Sequence, residues 1–296
     1  MKKYSFITDF AFINSNIKTP DEINNLFNNN FFNDKNKWKN YNLSNNIPFL
    51  YEGINSRLKN RMSQLSLGVY NVLEKGPGKK LKEDEEIYLF TGFGEIETTN
   101  QIIKSIVIDK YNLVSPTLFH NSVHHTSLGY YTILKGIHNT CATISDGIEN
   151  NFSFINFLKK REKLNKSFIA VGGEEYSDFY ELDELNKYKI IPAFIAYRII
   201  PRTDKGFIFG GVFNNFNDLI NHELFKNATT IFSDKKSFLK LNNNFKKNIL
   251  TEYPLVLDNP CGIILRLALP FYLNIKGTSM VIEEIDNKFY CFEVIL

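Results

Sequence analysis

The chain has 296 residues, of which 43% are hydrophobic and 23% charged, a balance typical of one large folded domain and not of a disordered chain. Its formal net charge of +3 is too small to indicate nucleic acid as a partner. The three cysteines are few and widely spaced, so we expect neither a disulfide framework nor a zinc site, and a cytoplasmic location fits best. No apolar run reaches the roughly 18 residues that a membrane-spanning helix needs, so we expect no such helix.

Hydrophobic periodicity predicts strands that alternate with helices along the chain. The first strand is expected at 4–14, and a short helix at 20–27 follows, capped by Thr19. Further strands are predicted at 87–91, 139–144, 168–171, 190–199, 207–213, 279–285 and 289–295. Further helices are predicted at 54–73, 98–108, 119–134, 148–158, 215–225 and 260–273. Such alternation is typical of an α/β fold in which helices cover central sheets.

The segment 145–149 predicts an elbow between a strand and a helix. Ser145, Asp146 and Gly147 favour a sharp turn after the apolar run 139–144, which suits a buried strand. A residue on such an elbow projects from the sheet at a helix N-terminus, where the helix dipole favours an anion and lowers the pKa of a thiol. An acyl-transferring nucleophile needs this setting, although α/β proteins also use elbows for packing alone.

Residues 115–136, SPTLFHNSVHHTSLGYYTILKG, resemble the segment that precedes the nucleophile in β-ketoacyl synthases. They are more similar still to a shorter group, the ketosynthase-like proteins of aryl-polyene and related pathways. The same group is resembled, in the same order, by NRMSQLSLGVYNVL (60–73), FTGFGEIETTNQII (90–103), FIAVGGEEYSDFY (168–180) and GFIFGGVF (206–213). The resemblance implies a thiolase-like α/β fold, layered α-β-α-β-α, as a single domain over 1–296. Its first half would span 1–200 and carry the elbow, and an abbreviated second half would span 201–296.

The catalytic positions that the resemblance implies lack their residues. The ketosynthase nucleophile should fall at Ile148, give or take one residue, and neither Gly147, Ile148 nor Glu149 carries a thiol. Ketosynthases also need two histidines from the second half, whereas the last histidine here is His222. Residues 258–273, where one of those histidines is expected, contain none. We therefore expect no catalysis by this chain and no cofactor.

The expected function is that of a non-catalytic ketosynthase-like subunit, similar to a chain-length factor. Such a subunit supports an active β-ketoacyl synthase, as a heterodimer, in fatty-acid, polyketide or polyene assembly. Phe119, His124, Tyr130 and Tyr131, on or beside the predicted helix 119–134, are candidates for the acyl tunnel or the subunit interface. An acyl carrier protein is a second candidate partner, and a homodimer stays open.

Two alternative functions remain open. The first is an acyltransferase of altered mechanism that uses Cys141 or Ser145 with His124 or His125. A thiol in an apolar strand is usually inert packing, and Ser145 lacks the GxSxG pattern of a nucleophile elbow. The second is a protein that binds acyl chains or a carrier protein without a ketosynthase. A metal at His120, His124 and His125 is not expected, because no nearby acidic residue completes a site.

Overall fold

A computed structural model describes residues 3–38, 41–108, 115–162, 164–181, 190–242, 245 and 247–296. Its strands are β1 (Tyr4–Ile13), β2 (Glu86–Thr91), β3 (Cys141–Ser145), β4 (Phe168–Glu174), β5 (Ala193–Thr203), β6 (Gly206–Phe213), β7 (Thr230–Ser233), β8 (Asn248–Leu250), β9 (Thr278–Ile285) and β10 (Lys288–Ile295). Its helices are α1 (Pro20–Asn28), α2 (Lys35–Trp38), α3 (Ser56–Lys59), α4 (Gln64–Lys75), α5 (Ile96–Ile108), α6 (Pro116–Asn121), α7 (Thr126–Lys135), α8 (Asn150–Arg161), α9 (Phe216–Asn221), α10 (Glu223–Asn227), α11 (Lys235–Asn242), α12 (Tyr253–Val256) and α13 (Gly262–Tyr272). Across the described ranges, no helix has the length and apolar character needed to cross a membrane.

The strands join in the order β3-β2-β4-β5-β1-β6-β10-β9-β7-β8. The same arrangement occurs twice. Read from its outer edge toward the middle of the sheet, each unit of five strands has its strands in the order third, second, fourth, fifth, first. The pairing directions repeat as well. β5 and β10 run antiparallel to both neighbours, while β2 and β7 run parallel to both of theirs. The two five-stranded units meet where Ser5 of β1 pairs with Phe207 of β6.

Three hydrophobic cores on the faces of these units produce five layers. The central core holds α8 and α13 between the two units, and α13 is buried from Gly262 to Pro270 because its sequence there is apolar on every side except at Arg266. A second core packs α4 and α7 on the outer face of the first unit. A third packs α9, α10 and α11 on the outer face of the second unit. The layers therefore run α-β-α-β-α, which confirms the thiolase-like fold class.

The second unit is the shorter of the two, since β6 to β10 occupy 206–295 and β1 to β5 occupy 4–203. The chain passes from the first unit to the second in the short connection between Thr203 and Gly206. The division at residue 200 stays a prediction, and Ile200 itself lies within β5.

Three predicted helices are interrupted in the structure. The segment 54–73 forms α3 and α4, and Ser63 begins α4 by accepting a hydrogen bond from a backbone N–H of its first turn. The segment 119–134 forms α6 and α7, so His124 and His125 lie in the turn between them. The segment 215–225 forms α9 and α10, with the His222 side chain capping α10. Apolar residues lie on both sides of each break, so hydrophobic spacing alone does not reveal it.

Two predicted strands differ in their surroundings or length. The strand at 139–144, expected to be buried, is the edge strand β3, and its residues are only partly covered. The strand at 168–171 does not end at the glycines but continues through Gly172 and Gly173 to Glu174. A side chain at either glycine would strike Ile264 or the ring of Phe194, so these glycines serve close packing and not a turn.

Candidate functional site

The elbow joins β3, at the outer edge of the first unit, to α8. Gly147 has a φ of +56°, a left-handed conformation that glycine adopts readily, and it turns the chain into a short 3₁₀ turn before α8 begins at Asn150. The Gly147 N–H and the Ser145 hydroxyl both donate to the carbonyl oxygen of Gly92, each at 2.8 Å. Ile148 lies half-buried at the tip of the elbow, at the position where the resemblance implies a nucleophile.

Gly92 brings three segments together at this point. A Cβ on Gly92 would lie 2.6 Å from Cγ of Pro260 and 2.8 Å from the carbonyl oxygen of Gly147. Pro260 lies two residues before Gly262, the first residue of α13, which is the central helix of the second unit. The elbow of the first unit and the start of α13 therefore pack against the same loop, and only a residue without a side chain fits between them.

A cavity of about 560 Å³ opens beside the elbow and is lined by Ile148 together with residues of both units. Its lining contains neither cysteine nor histidine. Carboxylates outnumber cations there by seven to three. The carboxylates belong to Glu149, Asp234, Glu252, Asp258, Glu283, Glu284 and Asp286, and the cations to Lys235, Lys236 and Arg266. Among the residues that the structure describes, the lining of this cavity thus carries an excess of acidic side chains and neither a thiol nor an imidazole.

Arg266 forms the buried side of this cavity. It is 2% exposed, and it bonds the carboxylates of Glu252 and Glu283 and also, at 2.9 Å, the carbonyl oxygen of Ile282. Burial alone would lower the pKa of Arg266, but the two carboxylates outweigh it and hold the pKa above its usual value. Burial raises the pKa of Glu283 to about 7, although Arg266 acts in the opposite direction. The guanidinium is therefore fully paired within the protein.

The structure places Cys141 far from the elbow. Cys141 pairs with Ile87 at the start of β3, and Ser145 ends the same strand, so the two are about 13 Å apart along it. The Cys141 thiol packs toward the core that holds α7, and burial raises its pKa to about 11. Within the described part of the chain, neither the Cys141 thiol nor the Ser145 hydroxyl bonds to a histidine; the partners of both are carbonyl oxygens.

The three neighbouring histidines do not form a common site. His124 packs against the loop after β2, because a Cβ on Gly94 would lie 1.9 Å from its Nδ1 atom. His120 lies on α6 with its ring centroid 5.9 Å from that of Tyr130. His124 lies in the turn between α6 and α7, so it shares no helix face with His120. Among residues that the structure describes, no group of three or more histidine, cysteine or acidic side chains is placed to hold a metal.

The predicted tunnel or interface residues divide between a surface pocket and the core. A pocket of about 440 Å³ lies between α6 and α7 and is lined by Phe119, His125 and Tyr130 among others. Phe119 is 68% exposed, whereas Tyr130 is buried with its hydroxyl donating to Asn121 at 2.9 Å. Tyr131 is fully buried in the core beside α4, so it reaches neither this pocket nor the surface.

Sequence reasoning missed Cys261, which lies between the N-termini of the two central helices. Cys261 precedes α13, and its sulfur is 3.6 Å from the amide nitrogen of Asn150 at the start of α8. The thiol donates to the carbonyl oxygen of Phe90 at 3.2 Å. Complete burial raises its pKa well above the ordinary value, so the thiol is protonated and inert at neutral pH. Its place at the start of the predicted helix 260–273 was the signal.

Sequence reasoning also missed the support of the loop that holds the elbow. Glu174, at the end of β4, accepts hydrogen bonds from the Gly92 N–H at 2.6 Å and from the Thr91 hydroxyl at 3.1 Å. Burial raises the pKa of Glu174 to about 8. The acidic pair after the two glycines in 168–180 indicated this group, since buried carboxylates need such donors.

Several solved structures share this fold. A chain of the complex between a ketosynthase and its chain length factor from Xenorhabdus doucetiae is similar over 98% of this chain and 99% of that chain, with a TM-score of 0.61 and 15% identity. A chain of a type II polyketide acyl carrier protein in complex with its ketosynthase is similar over 100% of both, with a TM-score of 0.69 and 14% identity. The ishigamide ketosynthase/chain length factor covers 99% and 100%, with a TM-score of 0.69 and 9% identity. No protein-family model and no curated protein matches the chain.

These likenesses show that the chain has the thiolase-like fold of ketosynthases over its whole length. At 9 to 15% identity they show the fold alone. The chemistry available at the elbow therefore follows from the side chains that this chain carries there.

Proposed function

We propose that this protein is a non-catalytic ketosynthase-like subunit, similar to a chain length factor, that supports an active β-ketoacyl synthase. The observation that carries the proposal is Ile148. The fold builds an elbow at the start of a buried central helix and puts there a hydrocarbon side chain, which has neither a lone pair to attack a thioester nor a proton to transfer.

The cavity beside the elbow supports the same conclusion. Decarboxylative condensation needs donors that stabilise an oxyanion, and histidines supply them in ketosynthases. The cavity here has carboxylates in excess and no histidine in its lining. A malonyl group or a carrier arm is itself anionic, so this lining repels it.

The surface around β3 suits a protein partner. Within the described residues, β3 pairs only with β2, so its outer edge offers free backbone donors and acceptors. Beside it, α6, α7 and the turn between them expose large apolar side chains, with Phe119 at 68%, Val123 at 56% and Ile133 at 71%. An open strand edge next to exposed apolar side chains is typical of an interface. We propose that the partner ketosynthase covers this surface, and that Phe119 and Tyr130 contact it.

The proposal includes the setting in which the pair works. An acyl carrier protein is the second proposed partner, and the cytoplasm is the proposed location. Assembly of a fatty-acid, polyketide or aryl-polyene chain is the proposed pathway class.

Co-expression with a ketosynthase encoded by a neighbouring gene tests the proposal. We expect a stable heterodimer in size-exclusion chromatography, and we expect Ile133→Glu to weaken it at least about tenfold, because a buried interface charge costs more than 1.4 kcal/mol. Leu50→Glu is the matched control, since Leu50 is 53% exposed and lies before α3, outside β3, α6 and α7. Failure to co-purify with the ketosynthase, or equal effects of the two variants, contradicts the proposal.

Intact-mass measurement separates the alternatives. Incubation with acyl carrier thioesters should leave the mass unchanged. An acyl adduct that Cys141→Ser or Ser145→Ala abolishes would establish the acyltransferase instead. A bound acyl chain in the isolated monomer, without affinity for a ketosynthase, would favour the acyl-binding protein.

A further inference from the structure

The two end strands of the sheet differ in how well they are covered. β8 takes the place in the second unit that β3 takes in the first, and within the described residues each of them pairs with one other strand only. The residues of β3 are only partly covered, and Ser145 at its end is exposed. In β8, by contrast, Ile249 is 1% and Leu250 3% exposed, and Thr251 directly after it is fully buried. A part of the chain that is not a strand therefore covers β8.

The covering segment belongs to an excursion of the chain between β1 and α3. The two ends of this excursion are tied together beside the end of β1. The Asn16 side chain donates to the carbonyl oxygen of Asn42 at 2.9 Å, and the Ser44 N–H donates to the Ser15 hydroxyl at 2.9 Å. Between these ties lie α1, a 3₁₀ turn at Phe31–Asn33 and α2. The excursion is thus held at the first unit by its ends, and its middle is left to contact the second unit.

The 3₁₀ turn Phe31–Asn33 lies against β8. The Thr251 N–H donates to the carbonyl oxygen of Phe32 at 3.2 Å, which joins the end of β8 to the turn. The two also face each other across a cavity of about 240 Å³, whose lining includes Phe32 and Asn33 from the turn and Leu250 from β8. Because β7 occupies the other side of β8, the turn lies at the edge where a further strand would have to pair.

Trp38 anchors the turn to the second unit. Its indole N–H donates to the carbonyl oxygen of Phe31 at 2.7 Å. Its ring packs on Phe238 of α11, with the ring centroids 5.3 Å apart, and on Tyr253 of α12, with the centroids 6.3 Å apart. On the outside of α2, Lys37 is exposed. The segment therefore has an aromatic inner side and a polar, helical outer side, which gives another strand no free ladder to pair with.

We propose that the segment 29–38 is an edge cap, anchored by Trp38, that closes β8 to pairing with a second copy of this chain. The cap is needed because the two end strands belong to repeats of one arrangement. If both edges were open, β3 of one copy could pair with β8 of the next, and such head-to-tail pairing continues into an open chain of molecules. With β8 capped, pairing through β3 ends at two chains. The cap does not depend on whether the partner at β3 is a ketosynthase.

Sedimentation velocity and hydrogen exchange of the full chain test the cap. Trp38→Ala removes the anchor, so the Thr251 amide should lose at least about tenfold of its protection. This variant should also form species of more than two chains that grow with concentration, whereas the wild type should stop at two chains or fewer. Adding Asn248→Lys should return Trp38→Ala to the wild-type size, because Asn248 is the exposed residue of β8 and a lysine on an edge strand opposes pairing.

Phe157→Ala is the matched control for general destabilisation. Phe157 is also a partly buried aromatic residue, but it packs on Tyr88 in the first unit, with the ring centroids 4.6 Å apart. This variant should keep the wild-type size and the protection of the Thr251 amide. Association of Phe157→Ala equal to that of Trp38→Ala would contradict the proposal.

The remaining outcomes also decide. Protection of the Thr251 amide that survives Trp38→Ala would overturn the proposal, as would a variant that stays at the wild-type size once this protection is lost. Association that Asn248→Lys does not reverse would overturn it as well. If Trp38→Ala does not fold, exchange in the wild type decides. After correction for intrinsic rates, the Thr251 amide should exchange more slowly than the amides of β3 that face away from β2, and equal rates would refute the cap.

Discussion

Replacing Arg266 with methionine probes the buried charge cluster beside the elbow. Arg266 is the cation between Glu252 and Glu283, which are 3% and 5% exposed. Methionine fills a similar length of side chain but carries no charge and no donor. The variant therefore leaves two buried carboxylates and the Ile282 carbonyl oxygen without the group that pairs them.

The expected cost is about 3–5 kcal/mol of unfolding free energy, the range found when one partner of a buried ion pair is removed. Desolvation is the largest influence on the pKa of both Glu252 and Glu283, and in each case Arg266 is the first of the opposing ones. Without Arg266 both pKa values rise further. The carboxyls then take up protons on folding, so the loss should be largest above neutral pH and shrink as pH falls.

Urea unfolding at about pH 5 and about pH 8 measures both the size and the pH dependence of this loss. A triple variant, in which Arg266, Glu252 and Glu283 all become apolar residues of similar volume, should recover most of the stability, because the desolvation of all three charges disappears together. A loss below about 1 kcal/mol, or a loss that does not change with pH, would refute the reasoning.

Two further expectations concern packing and thiol chemistry. A Cβ on Gly68 would lie 2.3 Å from the ring of the fully buried Phe194, so Gly68→Ala should lower the unfolding free energy measured in urea by about 1–3 kcal/mol. A second change, Phe194→Leu, should recover part of this loss. Destabilisations of the two single variants that simply add in the double variant would contradict this. Burial raises the pKa of Cys141 to about 11 and shields Cys261 and Cys291, so a maleimide should label the native protein slowly at neutral pH and all three thiols in urea; rapid native labelling of Cys141 would contradict this.

The sequence predicted those elements that are long enough to show a period. The strand β1 and the hairpin of β9 and β10 lie within a residue or two of their predicted ranges. The run 230–256 produced no prediction, and the structure shows why. Apart from α11, which has eight residues, it holds β7 and α12 with four residues each and β8 with three, too short for either period to appear. Their places are set by packing against the second unit and not by their own sequences.

The surroundings of β3 could not be predicted from composition. CATIS is as apolar as a central strand, yet β3 lies at the edge of the sheet. Burial in a sheet depends on neighbours that the local sequence does not encode. In the proposed complex the missing neighbour belongs to another chain, which would reconcile the apolar sequence of β3 with its open edge.

The site was predicted in part. Counting along the resemblance placed Ile148 at the elbow, and the structure has Ile148 at the tip of the turn. The character of the cavity could not be predicted, because its charges come from the elbow, the start of α11, the residues on either side of α12, α13, β9 and the turn after β9, segments that meet only in the folded chain. Charged residues such as Glu283 and Arg266 usually lie on the surface, so the sequence alone does not indicate that these two are buried as an ion pair.

The elbow keeps its shape without a nucleophile because its fixed contacts use the backbone and supporting side chains. The Gly92 carbonyl accepts from Gly147 and Ser145, and Glu174 in turn holds the Gly92 N–H. Ile148 takes no part in these bonds, so its side chain could change without cost to the turn. The groups that chemistry requires are thus separable from those that architecture requires. A copy that loses the first set keeps the buried central helices, the open edge of β3 and the surface that a partner needs.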